Sequence, residues 1–226
     1  IADEIGAMTM MDMAHIAGLI AGKQMQNPVP IFDVVTTTTH KTLRGPRGGM
    51  IFCKQQFAEA IDKSVFPGFQ GGPHENNIGA KAVCFKEALE PSFQDYARQI
   101  MKNAKALEVV LRDGGLHICH VKTENHLLLI DVTKVGTTGK IAEKALDEAG
   151  ITVNKNAIPD DTRKPMDPSG IRLGTPALTT RGLKEAEMKV IGEMIVAILK
   201  NPSSAPSYRE KIKELMSGFP LYPELD

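Results

Sequence analysis

The period of apolar and polar positions changes several times along the chain, and each change predicts an element. Val34, Val35 and Thr36–Thr39 form an unbroken β-branched run, the composition of a strand buried on both faces. His40 and Lys41 end that run, and Gly45, Pro46, Gly48 and Gly49 then forbid regular structure. Upstream, Ile1–Gly6 reads as the end of a helix and Ala7–Met13 as a short apolar strand closing on Asp12. His15 follows at the strand-to-loop turn. Downstream, Gly49–Cys53 predicts a second strand, Phe57–Lys63 a short helix, and Phe66–Pro73 a glycine- and proline-rich loop. Ile78, Ala82, Phe85 and Leu89 recur at helical spacing. Pro91 stops that helix, and a domain boundary is expected there.

The second half changes character. Ser92, with Asp95 three residues on, resembles a capping-box start for a helix running to about Leu111, which Gly114 and Gly115 end. His117–Val121 and His126–Val132 read as strands. Gly139–Ala149 reads as a helix closed by Gly150, and Ile151–Asn154 as another strand. Asp160–Ser169 is a charged, proline-bearing loop, expected to be exposed. Ile171–Leu173 predicts a short strand and Leu183–Leu199 a long amphipathic helix. A Pro/Ser linker, Asn201–Ser207, precedes a terminal helix, Tyr208–Met216. The expected organisation is therefore α/β over residues 1–90 and a small α+β domain over 91–226.

Composition narrows the function classes. Lys+Arg and Asp+Glu are both 27, for a net charge of +0 and a pI near 7.2. That balance advertises neither a nucleic-acid partner nor an anionic membrane surface. The longest apolar runs, such as Leu127–Ile130, are far too short to span a bilayer. Cys53, Cys84 and Cys119 lie far apart in apolar settings, which predicts buried free thiols in a reducing compartment and a cytoplasmic protein. No signal or transit segment stands out. The opening, IADEIGA, reads as a helix already under way, which predicts a fragment of a longer chain.

The candidate chemistry centres on Lys41. A lysine at the carboxyl end of a buried strand, beside a glycine-rich turn, sits where open α/β sheets bind ligands. Partial loss of hydration there makes the amine a usable nucleophile, and Arg44 and Arg47 add fixed positive charge that attracts an anion. The reading is a Schiff-base site. Asp12, at the end of another strand, is placed to meet the opposite edge of a planar ring. Asp12, His15 and His40 could also ligate a metal, but no carboxylate stands out as a base and Lys41 would repel a dication. No metal is expected.

The segment TTTTHKTLRGPRGG (Thr36–Gly49) resembles the pyridoxal-phosphate lysine segment of serine hydroxymethyltransferases. The likeness continues through Asp12-Met-Ala-His15, Phe66-Pro-Gly-Phe-Gln-Gly-Gly72-Pro, Val153-Asn-Lys-Asn156 and Gly170-Ile-Arg172-Leu-Gly-Thr-Pro. It implies a fold-type-I, aspartate aminotransferase-like fold: part of the cofactor-binding large domain, then a small α+β domain. It implies a Schiff base between Lys41 and pyridoxal 5'-phosphate, with Asp12 on the pyridinium nitrogen and His15 on the ring-hydroxyl side. Thr38, His40 and Arg47 lie at the same site. Gly71 and Gly72 would reach the cofactor phosphate of the other subunit in a homodimer, or a tetramer, that shares its active sites. Arg172 would clamp the carboxylate of serine or glycine, and Asn156 would touch the pterin of tetrahydrofolate. The implied reaction is reversible transfer of serine's hydroxymethyl carbon to tetrahydrofolate, leaving glycine.

The resemblance begins part-way through the family's large domain. The family's earlier segments supply much of the phosphate cup, a group stacked on the ring and an acid–base glutamate, and these residues contain none of them. Two expectations of different class follow. One is the carboxyl-terminal part of a working transferase. The alternative is a truncated, catalytically incompetent piece that serves as a folding or dimerisation module.

Overall fold

The computed structural model describes residues 1–222. The chain divides into two compact units, Ile1–Arg98 and the residues from Gln99 onward. The first carries α1 (Ala2–Ile5), β1 (Met10–Asp12), α2 (Ala17–Ala21), β2 (Val34–Thr38), β3 (Gly49–Cys53), α3 (Gln55–Lys63) and α4 (Glu75–Leu89). A π-helical turn, Ser64–Phe69, follows α3. The first turns of α5 (Pro91–Asp113) also belong to this unit.

Its sheet has the order β1-β2-β3. β1 and β2 run parallel, with Met10 opposite Val34 and Asp12 opposite Thr36, whereas β3 runs antiparallel to β2 from Val34↔Cys53 to Thr38↔Gly49. β2 is not buried on both faces as its composition predicts. Val35 and Thr37 are buried while Val34, Thr36 and Thr38 are half-buried. The packed face meets a core of Met13, Ala17, Val35, Leu43, Cys84 and Phe93. β1 is also shorter than expected, because Thr9 turns its backbone N–H and hydroxyl onto Asp33 Oδ2 at 2.8 and 3.0 Å instead of joining the ladder.

Pro91 stops α4, which ends at Leu89, and also opens the next helix. It is the first residue of α5, where a missing N–H costs nothing and the fixed φ suits the helix. Glu90 before it is extended, at φ −71° and ψ 147°, as a residue preceding proline should be. Ser92 is therefore inside the helix rather than its cap, and Asp95 pairs with Arg98 at 2.5 Å. The contact division falls further along α5, between Arg98 and Gln99.

The second unit holds β4 (His117–Ile118), β5 (Leu127–Asp131), α6 (Gly139–Ala149), β6 (Asn154–Asn156), β7 (Gly170–Gly174), α7 (Pro176–Thr180), α8 (Glu185–Lys200) and α9 (Ala205–Ser217). Its sheet is antiparallel throughout, in the order β4-β5-β7-β6. One face carries Ile118, Leu128, Ile130, Ile171 and Leu173 into a core with Leu146, Ile195, Ile198 and Leu199.

Four expectations shift here. The strand expected over Ile151–Asn154 pairs at Asn154–Asn156, because Val153 is committed to the core and Ile151 packs against it. β4 stops at Ile118, since Arg112 Nη2 captures the His120 and Val121 carbonyls. α8 starts at Glu185 and leaves Leu183 fully buried ahead of it. Residues 201–207 form a 3-10 turn and the start of α9, with Ala205 buried, rather than a linker.

Of the three cysteines, Cys84 is buried and Cys53 and Cys119 are half-buried, all free. Burial pushes the thiols of Cys84 and Cys119 up.

Asp33 fixes the entry of the parallel pair. Its Oδ1 accepts from Lys54 Nζ at 2.7 Å, and with both Thr9 bonds this holds its pKa at about 2 against an ordinary 3.8. Because the folded value is the lower one, the stability this carboxylate contributes is complete above about pH 4 and is lost as pH falls through about 2. Asp33→Asn should therefore flatten the acid limb of unfolding between those limits, followed by circular dichroism. An acid limb identical to that of the unsubstituted chain would show that the carboxylate is not coupled to folding.

Candidate active site

The parallel pairing of β1 and β2 brings the carboxyl ends of two strands to one edge of the sheet. Asp12 ends β1, and Thr38 ends β2, with His40 and Lys41 immediately after it. Asp12 Oδ1 accepts the Ala14 N–H at 3.0 Å, which orients the carboxylate as the chain turns toward His15. Asp12, Lys41 and Arg47 are exposed, while His15, Thr38 and His40 are half-buried. Lys41 is thus not dehydrated within this chain, contrary to the expectation from strand composition. β2 lies between β1 and β3, and Lys41 stands beyond its last paired residue, Thr38.

Two polar atoms at this edge stand out. Thr38 Oγ1 and His40 Nδ1 are both buried, and neither has a hydrogen-bond partner among the described residues. Such atoms cost free energy unless something satisfies them. A cofactor carrying polar substituents, set between Asp12 and Lys41, fits that need.

The loop after Lys41 is held by residues that composition alone does not distinguish. Thr42 Oγ1 donates to the His15 carbonyl at 2.8 Å and accepts the Gly18 N–H at 2.9 Å. It thereby ties the lysine's neighbour to both His15 and α2. Gly18 permits this approach, since a Cβ there would stand 2.0 Å from the Thr42 carbonyl oxygen. Thr39 also shapes this loop: its N–H donates to the Gly48 carbonyl at 3.0 Å and its Oγ1 to the Pro46 carbonyl at 2.6 Å. From α4, Cys84 Sγ donates to the Leu43 carbonyl and Lys81 Nζ to the Gly49 carbonyl. The only signal for these roles was the unusual run of small and β-branched residues.

Arg44 departs from its expected part as a free positive charge. Its guanidinium carbon lies 4.3 Å from the centre of the Tyr96 ring. Gly71 and Gly72 stand in the exposed stretch before α4. Gly72 has φ +57°, and a Cβ added there would meet nothing within 4 Å, so the backbone is open to an approaching group.

In the second unit, Arg172 lies opposite Leu129 on β5 and Asn154 on β6, and Asn156 is two residues along from Asn154. The register therefore sets Arg172, Asn154 and Asn156 on one face, away from Ile171 and Leu173. Arg172 is half-buried, and no hydrogen bond or ion pair engages its guanidinium among the described residues. Asn156 Nδ2 donates to the Ala157 carbonyl at 2.7 Å. The charged loop before β7 is better ordered than its composition suggests. Asp161 accepts from Ser169 Oγ and N and from the Arg163 N–H, bonds that hold its carboxyl far below the usual range. Among the described residues, no three His, Cys, Asp or Glu side chains gather as a metal site would require.

A mixed α/β unit with a lysine and an aspartate closing adjacent parallel strands is that of the fold-type-I pyridoxal-phosphate transferases. Within that class the match is specific. The family model for serine hydroxymethyltransferase covers residues 1–195, and the chain belongs to that family. It is 60% identical over 227 aligned residues to the serine hydroxymethyltransferase of Koribacter versatilis (strain Ellin345), which covers 99% of this chain and 53% of that protein. It is 53% identical over 225 residues to the enzyme of the same name from Myxococcus xanthus (strain DK1622), with 98% and 54% covered. The chain thus spans about half the length of the curated relatives it matches.

Thr42→Val should cost about 1–3 kcal/mol, since the isosteric methyl leaves a buried N–H and a carbonyl unmatched. Urea unfolding should show it, with faster amide exchange at Gly18. Thr42→Ser should recover most of the loss, and a valine variant as stable as the parent would remove the latch from the account.

Proposed function

We propose that this chain supplies the lysine-bearing part of a serine hydroxymethyltransferase, which interconverts serine and glycine with tetrahydrofolate as one-carbon acceptor. The observation that carries the reading is the placement of Asp12 at the end of β1 and Lys41 just past the end of the parallel β2, beside Thr38 Oγ1 and His40 Nδ1, which find no hydrogen-bond partner among the described residues. Membership of the family, whose cofactors are pyridoxal phosphate and tetrahydrofolate, supports it.

In this reading Lys41 holds pyridoxal phosphate covalently through its Nζ. Asp12 holds a proton on the ring nitrogen through its carboxylate. His15, His40 and Thr38 satisfy the ring's polar substituents, and Arg47 adds a cation on the same side. Pyridoxal phosphate, once bound, supplies an electron sink for a carbanion at the α-carbon of the amino acid. Arg172 anchors the amino-acid carboxylate, for which a planar guanidinium with no competing partner among the described residues is suited. Asn156 contacts the pterin, and Gly71 and Gly72 offer backbone N–H groups to a phosphate of a second subunit in a homodimer or tetramer. Three free cysteines support a reducing, cytoplasmic setting. No helix among the described residues is long and apolar enough to cross a membrane.

The exposure of Asp12, Lys41 and Arg47 favours a second reading, in which these residues by themselves fold and bind without catalysing. Preorganisation and exclusion of water supply most of the rate in such sites.

The direct test is incubation with pyridoxal phosphate, borohydride reduction and peptide mass analysis. A reduced adduct is expected on Lys41 and none in Lys41→Ala; an adduct persisting in Lys41→Ala would refute the assignment. In the active protein, Arg172→Lys should weaken serine binding by about 2–3 kcal/mol and spare cofactor binding. Unchanged serine affinity would contradict that role. Turnover of serine by these residues alone would refute the second reading.

A further inference from the structure

We propose that Arg44 is a positioning residue for Lys41, and that the ring of Tyr96 is what holds it in place. This rests on the reading of Lys41 as the cofactor-bearing amine. The Arg44 N–H donates to the Lys41 carbonyl at 2.9 Å, so residues 41–44 close into a turn whose first member is the lysine. The next N–H, of Gly45, donates to the Thr39 carbonyl at 2.7 Å. Two successive bonds thus fold the loop back on the end of β2.

Arg44 makes that turn at φ +64°, the left-handed region that disfavours every side chain bearing a Cβ. A glycine would adopt it without strain, so the arginine side chain must return something. What it returns is a stack. Its guanidinium carbon lies 4.3 Å from the Tyr96 centroid and 5.8 Å from that of Phe93. The two rings brace each other at 5.5 Å between centroids and 59° between planes. Phe93 is buried in the core of the first unit and Tyr96 packs against that core, so the platform is fixed. A cation held over such a face resists displacement.

Lys41 is exposed, so packing around its side chain does not orient it. Its backbone is oriented instead, because the carbonyl is pinned by a residue anchored to α5. A root fixed in advance leaves less motion to be lost when the amine closes on its partner. Arg44 therefore spends its charge on the aromatic platform and acts through Lys41 rather than on a ligand.

Two phosphate esters separate these roles, since pyridoxal phosphate can close on Lys41 and pyridoxamine phosphate, lacking an aldehyde, cannot. In Arg44→Gly and in Tyr96→Leu, affinity for pyridoxal phosphate should fall roughly fivefold while that for pyridoxamine phosphate is unchanged. The residue-44 amide should exchange faster, with the β2–β3 ladder unaltered. Arg44→Lys, which keeps a cation, should behave like the parent, and Arg44→Gly/Tyr96→Leu should be no worse than either single change. Equal weakening of both esters would make Arg44 an anion contact and overturn the proposal, as would unchanged exchange at residue 44. An unsubstituted chain giving no borohydride-stable adduct on Lys41 would overturn the reading of Lys41 and this proposal with it. An adduct with an unaltered ratio of the two affinities in the variants would overturn this proposal alone.

Discussion

Parallel pairing between β1 and β2 is the constraint on which the first unit depends. Two strands joined by a crossover can run parallel only if the intervening chain returns to the same end of the sheet. Here residues 13–33 make that return, with α2 inside it. The consequence is chemical as well as topological, because a carboxylate and an amine that close the two strands emerge at the same edge. Separate devices keep the pair in register. At the entry, Asp33 binds Thr9 and Lys54; at the exit, Met13 N–H meets the Thr36 carbonyl and Thr42 reaches back to His15 and Gly18.

The threonines of Thr36–Thr39 show how one residue type serves different ends along a strand. Thr36 pairs with Asp12 in the ladder. Thr38 presents a hydroxyl at the edge that no described residue engages, and Thr39 folds its hydroxyl onto the Pro46 carbonyl to shape the following loop. β-branching makes the run a good strand in every position. Strand alternation and the abrupt end of the ladder then decide which hydroxyl faces the core, the edge or the loop.

The second unit solves a different problem. Its antiparallel sheet buries one face under helices and leaves the other able to carry polar groups. Arg172 lies between Ile171 and Leu173, both committed to the core, so the strand period alone turns it to the opposite face. An arginine raised on a rigid strand, with its flanking residues locked by packing, is better fixed than one on a loop. The Asp161 network does the same for the approach to β7, converting a charged loop into a braced connection that ends with buried Pro168 and Ser169.

Local pattern was enough to read most elements, the strand-end lysine and aspartate, and the family motifs, because β-branched runs, helical spacing and glycine clusters act over a few residues. Gly139–Ala149 was legible to the residue, its bounds set by Thr138 and Gly150. What the sequence could not disclose depended on distant partners. Pro91 opens a helix instead of merely ending one. The β6 ladder begins at Asn154 because Val153 belongs to the core. Lys41 is exposed although its strand reads as buried, since burial at a strand's end depends on what lies over it rather than on composition. Thr42, Thr39 and Gly18 gained their roles only when the crossover brought residues 15–18 against the lysine loop. Arg44 shows the difference most plainly. The sequence fixes its charge and its place beside Lys41, but only the packing of α5 could decide that the charge would rest on Tyr96, because a cation–aromatic contact is set by approach in space.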